Sequence, residues 1–237
     1  MAGILYGIGV GPGDPKLLTL KAVETIKSCQ VLAVPGKDYK NSVAYRIALD
    51  AVPEIKEKEV HSIEMPMVKD QEILKAHYQA GALQLEQWLD LGKDVGFLTL
   101  GDVTVYSTYL YLHHLVKADG YETEMINGIP SFCAAAARLD MGLAEGAQSL
   151  HIFPGTYEAE QSLGLEQCLT SPGTKVFMKA GKQMAAVKEA IGEAGLSAVM
   201  IERCTMEGER IFLSGEEIPE DAGYYSLVIV KEKEKEI

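Results

Sequence analysis

Residues 7–15 read Gly7-Ile8-Gly9-Val10-Gly11-Pro12-Gly13-Asp14-Pro15. The apolar run Ile4–Val10 leads into this stretch, and a helical pattern over residues 16–28 follows it. A strand that breaks on glycines and restarts as a helix opens a βα unit. In an open α/β sheet such a turn lies at the carboxyl edge, where ligands bind. Glycine there permits positive φ and lets a ligand approach the main chain. A tight strand-to-helix turn that touches nothing is the plainer alternative. The stretch is not a dinucleotide fingerprint. A G-x-G-x-x-G frame started at Gly7 puts Pro12 at its third glycine, and one started at Gly9 puts Asp14 there. No G-x-x-x-x-G-K-[ST] loop occurs either. These failures disfavour an NAD-dependent oxidoreductase, the rival from another class of function.

The pattern continues outward as alternating strands and helices. In the first helix Leu17, Leu20, Ala22, Val23 and Ile26 supply apolar contacts, with Asp14 or Thr19 as its cap. Gln30–Val34 reads as a strand closed by Pro35-Gly36, Ser42–Val52 as a helix and Val60–Ile63 as a strand. Over residues 69–91, Leu74, Tyr78, Gly81, Leu85 and Trp88 recur at helical spacing. Asp94–Leu100 is a strand, Val105–Lys117 a helix and Tyr121–Ile126 a strand. This order predicts a doubly wound, mainly parallel sheet with helices on both faces. Beyond Asn127-Gly128 the rhythm changes. Helices are expected over Ser131–Leu139, 158–169 and 183–194, and strands over Leu150–Phe153, Thr174–Met178 and Ala198–Glu202. Glu202–Met206 and Arg210–Leu213 flank Glu207-Gly208 as a hairpin, and Tyr224–Val230 closes the chain. The expected architecture is therefore α/β with two α/β domains, over residues 1–126 and 127–237. The first carries a mainly parallel sheet and the second a mixed one.

The chain has 237 residues, with 34 acidic and 22 basic side chains, a formal charge of 22 − 34 = −12. A non-specific nucleic-acid binder or a polybasic membrane anchor needs the opposite sign, so neither partner is expected. Hydrophobic residues at 47% and charged ones at 24% suit a folded protein with a sizeable core. No run reaches the roughly 18 apolar residues of a membrane helix, and the first residues lack the basic start of a signal peptide. Cys29, Cys133, Cys168 and Cys204 are far apart and read as buried free thiols in a reducing cytoplasm. The tail from Lys231 onward alternates in charge and reads as a solvated end.

Two further strand ends carry glycine. Thr99-Leu100-Gly101-Asp102-Val103-Thr104-Val105-Tyr106 ends one strand. Asp102 there either accepts hydrogen bonds from a ligand or caps the next helix, and taken alone the cap is favoured. Asn127-Gly128-Ile129-Pro130-Ser131 ends another, with Ser131 as an N-cap or as part of a helix terminus that meets a carboxylate. In a parallel sheet all three loops point the same way. The five histidines form no ligand set: His113 and His114 are adjacent, so on a helix they point about 100° apart. No metal site is expected.

The stretches GIGVGPGDPKLLTLKA, LTLGDVTVYSTYLYL and INGIPSFCAAAARL resemble the tetrapyrrole (corrin and porphyrin) methylases. TVYSTYLYL and PSFCAAAARL are most similar to the precorrin-2 C(20)-methyltransferases of that family, and VFMKAGK, IERCTMEGERI and YYSLVIV resemble its last strands. Two positions depart from the pattern. Val103 stands where the family usually has proline after Gly-Asp, and Asn127 where it usually has proline before glycine.

The resemblance implies two α/β domains with a ligand cleft between them. It also implies methyl transfer from S-adenosylmethionine to carbon 20 of precorrin-2 or cobalt-factor II in cobalamin synthesis, leaving S-adenosylhomocysteine. Another carbon of the corrin ring, or uroporphyrinogen, is the alternative acceptor within the family. A nucleotide-sensing module is disfavoured, because three ligand-facing loops and a second domain would serve nothing. By the resemblance Pro12, Leu100, Gly101, Asp102, Val105, Ser131 and Phe132 line the cofactor site. Lys179, Ala180, Cys204 and Thr205 match positions that contact adenine, largely through main chain. Gly11, Gly13 and Asp14 would face the substrate, and Tyr106, on the first turn after the Gly-Asp loop, would orient cofactor or substrate. The family suggests a homodimer. A polycarboxylate substrate conflicts with a charge of −12, so the favourable charge must be local. Lys37, Lys40 and Arg46, after the second strand, are the candidates to meet substrate carboxylates.

Overall fold

In the computed structural model, which describes residues 1–66, 68, 70–154 and 164–232, contacts divide the chain into Met1–Ser131 and Phe132–Ile237. The first unit is built from β1 (Leu5–Gly9), α1 (Leu20–Ser28), β2 (Val31–Pro35), α2 (Val43–Ala51), β3 (Glu59–Ile63), α3 (Gln71–Asp90), β4 (Val95–Thr99), α4 (Tyr109–Ala118) and β5 (Thr123–Ile126). The strands lie in the order β3-β2-β4-β1-β5, and every pairing is parallel. Parallel strands have both faces covered, which is why they read as continuous apolar runs. Ile8, Leu32 and Val34 face α1 and α2 through Ala22, Ile26 and Ala48. Leu5, Phe97 and Val31 face α3 and α4 through Leu85, Leu89, Leu112 and Val116. The α3 stripe is the expected one, with Gly81 and Leu85 buried along it.

Two helix boundaries differ from expectation. The stretch 16–28 is two pieces, a 3₁₀ turn Pro15–Leu17 and then α1. Both proposed caps are used: Asp14 accepts from the Lys16 N–H, and Thr19 accepts from the Ala22 N–H. Leu20 sits at the break and is exposed. The helix expected from Val105 starts only at Tyr109, because Asp102 turns the chain back onto Thr104 first.

The second unit contains α5 (Ser131–Arg138, its first residue in the first unit), β6 (Leu150–Pro154), α6 (Leu165–Thr170), β7 (Thr174–Met178), α7 (Met184–Glu193), β8 (Ser197–Glu202), β9 (Arg210–Phe212) and β10 (Ser226–Lys231). Its sheet runs β6-β7-β10-β8-β9. Only β6 and β7 pair in parallel; β10 opposes both neighbours, and β9 opposes β8. The mixed sheet is as expected. Phe177, Met200, Val228 and Val230 pack on Met184, Val187 and Ile191 of α7. The hairpin arm expected over Glu202–Met206 stops at Glu202, where Arg203 and Thr205 turn left-handed. Of the helix expected over 158–169, residues 158–163 lie outside the described residues, as do the last five of the chain. Among the described residues no helix is long and apolar enough to cross a membrane. Cys29, Cys168 and Cys204 are buried; Cys133, on α5, is exposed, against expectation.

Candidate active site

Three loops leave the adjacent parallel strands β4, β1 and β5 at one edge of the first sheet. Main-chain bonds join the first two. The Val10 N–H donates to the Thr99 carbonyl at 3.0 Å, the Gly11 N–H to Gly101 at 3.1 Å, and the Gly101 N–H back to Gly11 at 2.8 Å. Gly11 holds φ +76, the conformation expected of a glycine in this turn. Gly9 lies against the other two loops, since a Cβ there would be 2.6 Å from Gly128 N and 2.7 Å from Gly101 O. The glycines at these positions bring main chains of the same protein together first.

Asp102 fastens the third loop. Its Oδ2 accepts from the Gly128 N–H at 2.9 Å and the Asn127 amide at 3.2 Å. Its Oδ1 accepts from the Thr104 N–H at 2.8 Å and, closer still, from the Thr104 hydroxyl. Burial works against the charge of this carboxylate, which is 5% exposed, but these hydrogen bonds outweigh it and hold the carboxyl below its ordinary value. The expected choice between ligand acceptor and helix cap falls to neither. The carboxylate is filled by protein donors, so a ligand contact from Asp102 has to come from its main chain. The departures at Asn127 and Val103 acquire a reason here. Asn127 gives Asp102 a donor that proline could not, and Val103 is fully buried on the α3–α4 face.

Gly101 differs from Gly9. At φ +74 its Cβ position is 4.0 Å from the nearest atoms, the Ile129 carbonyl and the Ser131 nitrogen. The bare main chain therefore borders a gap lined by an acceptor and by the first N–H of α5. Ser131 is the first helical residue, not an N-cap. Phe132 is buried and Leu100 half-buried. Pro12 and Gly11 are buried, and Gly13 and Asp14 half-buried, with the Asp14 carboxylate on the Lys16 N–H at 2.9 Å. Val105 is half-buried. Tyr106 is not on a helix. It sits four residues ahead of Leu110 in the turn, at φ +48 and 42% exposed, and burial of its ring raises the phenol. A bulky residue in this region is strained by about 1–3 kcal/mol, and such strain clusters at functional sites.

Lys37, Lys40 and Arg46 follow β2, whose carboxyl end lies at the same edge. All three are exposed. Lys37 is held by Glu64 at 3.2 Å, an acidic partner that sequence spacing concealed because it follows β3. Lys40 and Arg46 have no carboxylate partner among the described residues; the Lys40 ammonium lies 6.0 Å from the Tyr39 ring.

The second unit gathers the other predicted residues at one edge of its own sheet. Lys179 and Ala180 leave β7, and Cys204 and Thr205 leave β8; both strands oppose β10 between them. Lys179, Arg203 and Thr205 have φ of 60, 54 and 61. Main-chain anchors hold the first two, Lys179 N–H to Ser226 O and Arg203 N–H to Tyr225 O, both at 3.0 Å, and the Glu209 carboxylate accepts from the Thr205 N–H at 2.8 Å. Ala180 is fully buried, and burial, reinforced by Glu209, pushes the Cys204 thiol up to about 11. That thiol is no nucleophile near neutrality. Sequence reading missed Arg203, Glu202, Glu209 and the tyrosine pair Tyr224–Tyr225, whose rings meet edge-on at 5.3 Å. The usable signal was a glutamate closing an apolar strand.

Among the described residues no group of three or more His, Cys, Asp or Glu side chains could hold a metal ion. What both edges offer is main-chain N–H and carbonyl groups on strained turns.

A family model for the tetrapyrrole (corrin/porphyrin) methylases matches residues 4–218. The chain is 36% identical to a probable cobalt-precorrin-2 C(20)-methyltransferase of Methanocaldococcus jannaschii, covering 96% of this chain and 95% of that protein. It is 33% identical to the cobalt-precorrin-2 C(20)-methyltransferase of Salmonella typhimurium, covering 98% of each. Among solved structures, uroporphyrin-III C-methyltransferase of Thermus thermophilus in complex with S-adenosylhomocysteine superposes with a TM-score of 0.69 at 21% identity, over 97% of this chain and 98% of that one. The last likeness concerns the fold.

Proposed function

The chain belongs to the tetrapyrrole (corrin/porphyrin) methylases, and on that premise we propose that it transfers a methyl group from S-adenosylmethionine to carbon 20 of precorrin-2 or cobalt-factor II, in cobalamin biosynthesis. The observation that carries this reading is the near-full-length identity with two C(20)-methyltransferases.

The sulfonium supplies a methyl group already activated for in-line attack by an electron-rich ring carbon. The chain's own residues have to position and desolvate, and oriented reactants gain about 7–11 kcal/mol from proximity alone. Leu100, Gly101, Asp102 and Val105 offer main chain and an apolar wall to the cofactor, beside Pro12. Ser131 and Phe132 meet its amino-acid end, the Ser131 N–H serving as donor. Lys179, Ala180, Cys204 and Thr205 take the adenine through the second unit's turns. Tyr106 orients cofactor or substrate from its strained turn. Gly11, Gly13 and Asp14 face the substrate, and Lys40 and Arg46, with Lys37 beside Glu64, meet its carboxylates. The enzyme works as a cytoplasmic homodimer, with no nucleic-acid or membrane partner.

The test is incubation with S-adenosylmethionine and either the metal-free or the cobalt-bearing acceptor. Mass spectrometry reads the gain of one methyl group, and an isotope-labelled methyl locates it by NMR. A methyl at carbon 20 is expected. A methyl on another carbon, or on uroporphyrinogen alone, overturns the assignment in favour of the family alternative. Binding of NAD without methylation overturns the class.

A further inference from the structure

We propose that Glu202 is the positioning residue that sets both cofactor-facing turns of the second unit; this rests on the methyltransferase reading above. Glu202 is the last residue of β8 and is only 6% exposed. Its Oε1 accepts from the Gly223 N–H at 2.7 Å. Its Oε2 accepts from Arg210 Nε at 2.7 Å and, closer still, from a terminal guanidinium nitrogen. One carboxylate thus ties the end of β8 to β9 and to the segment entering β10.

The tie extends to the other turn. A Cβ on Gly223 would lie 2.5 Å from Glu202 Oε1, so the carboxylate sits directly on that glycine. A Cβ on Gly181 would lie 2.1 Å from the Gly223 carbonyl and 2.5 Å from that of Ala222, so the Lys179–Gly181 turn rests on the same segment. Downstream of Glu202, the Arg203 N–H bonds to Tyr225 and the Thr205 N–H to Glu209 Oε2 at 2.8 Å, while Arg138 holds the other Glu209 oxygen at 2.8 Å. Lys179, Ala180, Cys204 and Thr205 therefore take their places from a stack whose centre is Glu202. Glu202 touches no reacting atom in this arrangement. It determines where main-chain groups stand, so it governs cofactor affinity and not the chemical step.

Gln at this position keeps the volume, but its amide must turn a donor toward either Gly223 or Arg210, both donors. In Glu202→Gln the affinity for S-adenosylhomocysteine by calorimetry, and KM for S-adenosylmethionine, should weaken about 10- to 100-fold. The turnover number at saturating cofactor and KM for the tetrapyrrole should stay within about twofold, as expected when an interaction common to ground and transition states is lost. Val187→Ala, a core truncation on α7, serves as the control for general destabilisation: it should lower the melting temperature and leave cofactor affinity unchanged. Should Glu202→Gln fail to fold, Gly223→Ala displaces the carboxylate from its N–H and should give the same loss of affinity. Wild-type chain that does not bind S-adenosylhomocysteine refutes the methyltransferase reading. Wild type that binds, with Glu202→Gln or Gly223→Ala binding equally or losing turnover instead of affinity, refutes the role of Glu202.

Discussion

Gly128→Ala tests the meeting of three loops at the first sheet edge. A Cβ on Gly128 would stand 2.2 Å from the Gly101 carbonyl oxygen and 2.7 Å from the Gly9 carbonyl carbon, where ordinary contact begins at 3.4 Å. The loops after β1, β4 and β5 must then part by about 1.2 Å (3.4 − 2.2). These neighbours are main chain, pinned by the Gly11–Gly101 pair of bonds, so none can swing aside. The same movement stretches the 2.9 Å bond from the Gly128 N–H to Asp102 past hydrogen-bond range. Overpacking costs about 1–3 kcal/mol and the lost bond to a charged group about 1.5–3 kcal/mol. A loss of about 3 kcal/mol is expected, more than a hundredfold in the folding equilibrium. Urea unfolding followed by the fluorescence of Trp88, the sole tryptophan, reads the first unit directly. Gly120→Ala is the control, because Gly120 has φ +94 and open space around its Cβ. It carries only the backbone strain, about 1–2 kcal/mol. Gly128→Ala should also weaken S-adenosylhomocysteine, and Gly120→Ala should not. If Gly128→Ala is no less stable than Gly120→Ala, the close meeting of the three loops is not what holds that edge together.

Asp102→Asn should flatten the acid limb of stability. A carboxyl whose folded value is depressed stabilises above its ordinary value and loses that contribution as pH falls through the folded one, so unfolding curves of wild type and variant should converge only at strongly acidic pH. Glu86 behaves oppositely. It is 8% exposed, its Oε1 has no hydrogen-bond partner, and burial, then Asp119 and Asp90, raise its carboxyl. A raised carboxyl favours the fold while protonated and costs stability as pH rises through the folded value. Glu86→Gln should therefore stabilise by about 1 kcal/mol near pH 8 and by nothing below the ordinary carboxyl range, as read by urea titration. Replacing Lys40 and Arg46 together by Gln should raise KM for the tetrapyrrole severalfold, more at low ionic strength, and leave KM for S-adenosylmethionine unchanged; equal effects on both would reject the assignment. Tyr106→Phe should lower turnover or substrate affinity while the fold stays intact by circular dichroism, and full activity would remove its role.

Much of the fold was legible because burial on both faces of a parallel sheet leaves a mark in every strand. The runs around Ile8, Leu32, Phe97 and Ile126 each became strands, and the stripe from Leu74 to Trp88 became α3. Boundaries were less legible where polar side chains compete for main-chain groups. Thr104 and Ser107 delayed α4 to Tyr109, and Thr19 started α1 afresh inside what read as one helix. In the candidate site, the family-matched loops were visible as glycine-bearing strand ends, but the partners of their polar groups were not. Nothing near Lys37 in the chain announces Glu64, and nothing near Glu202 announces Gly223.

The sequence by itself determined the alternation of strands and helices, the direction in which three glycine loops point, and the family to which the chain belongs. These depend on local periodicity and on short motifs, which survive in one dimension. Only the tertiary structure decided what each glycine and carboxylate is for. Gly9 and Gly128 admit neighbouring main chain, Gly101 alone of the three faces a gap, Asp102 is consumed in fastening a loop, and Glu202 sets a turn it does not belong to. The reason is physical. A side chain's role is settled by which donors and atoms surround it once distant segments are packed, and those partners come from neighbouring segments at the same sheet edge that lie 20 or more residues away in the chain.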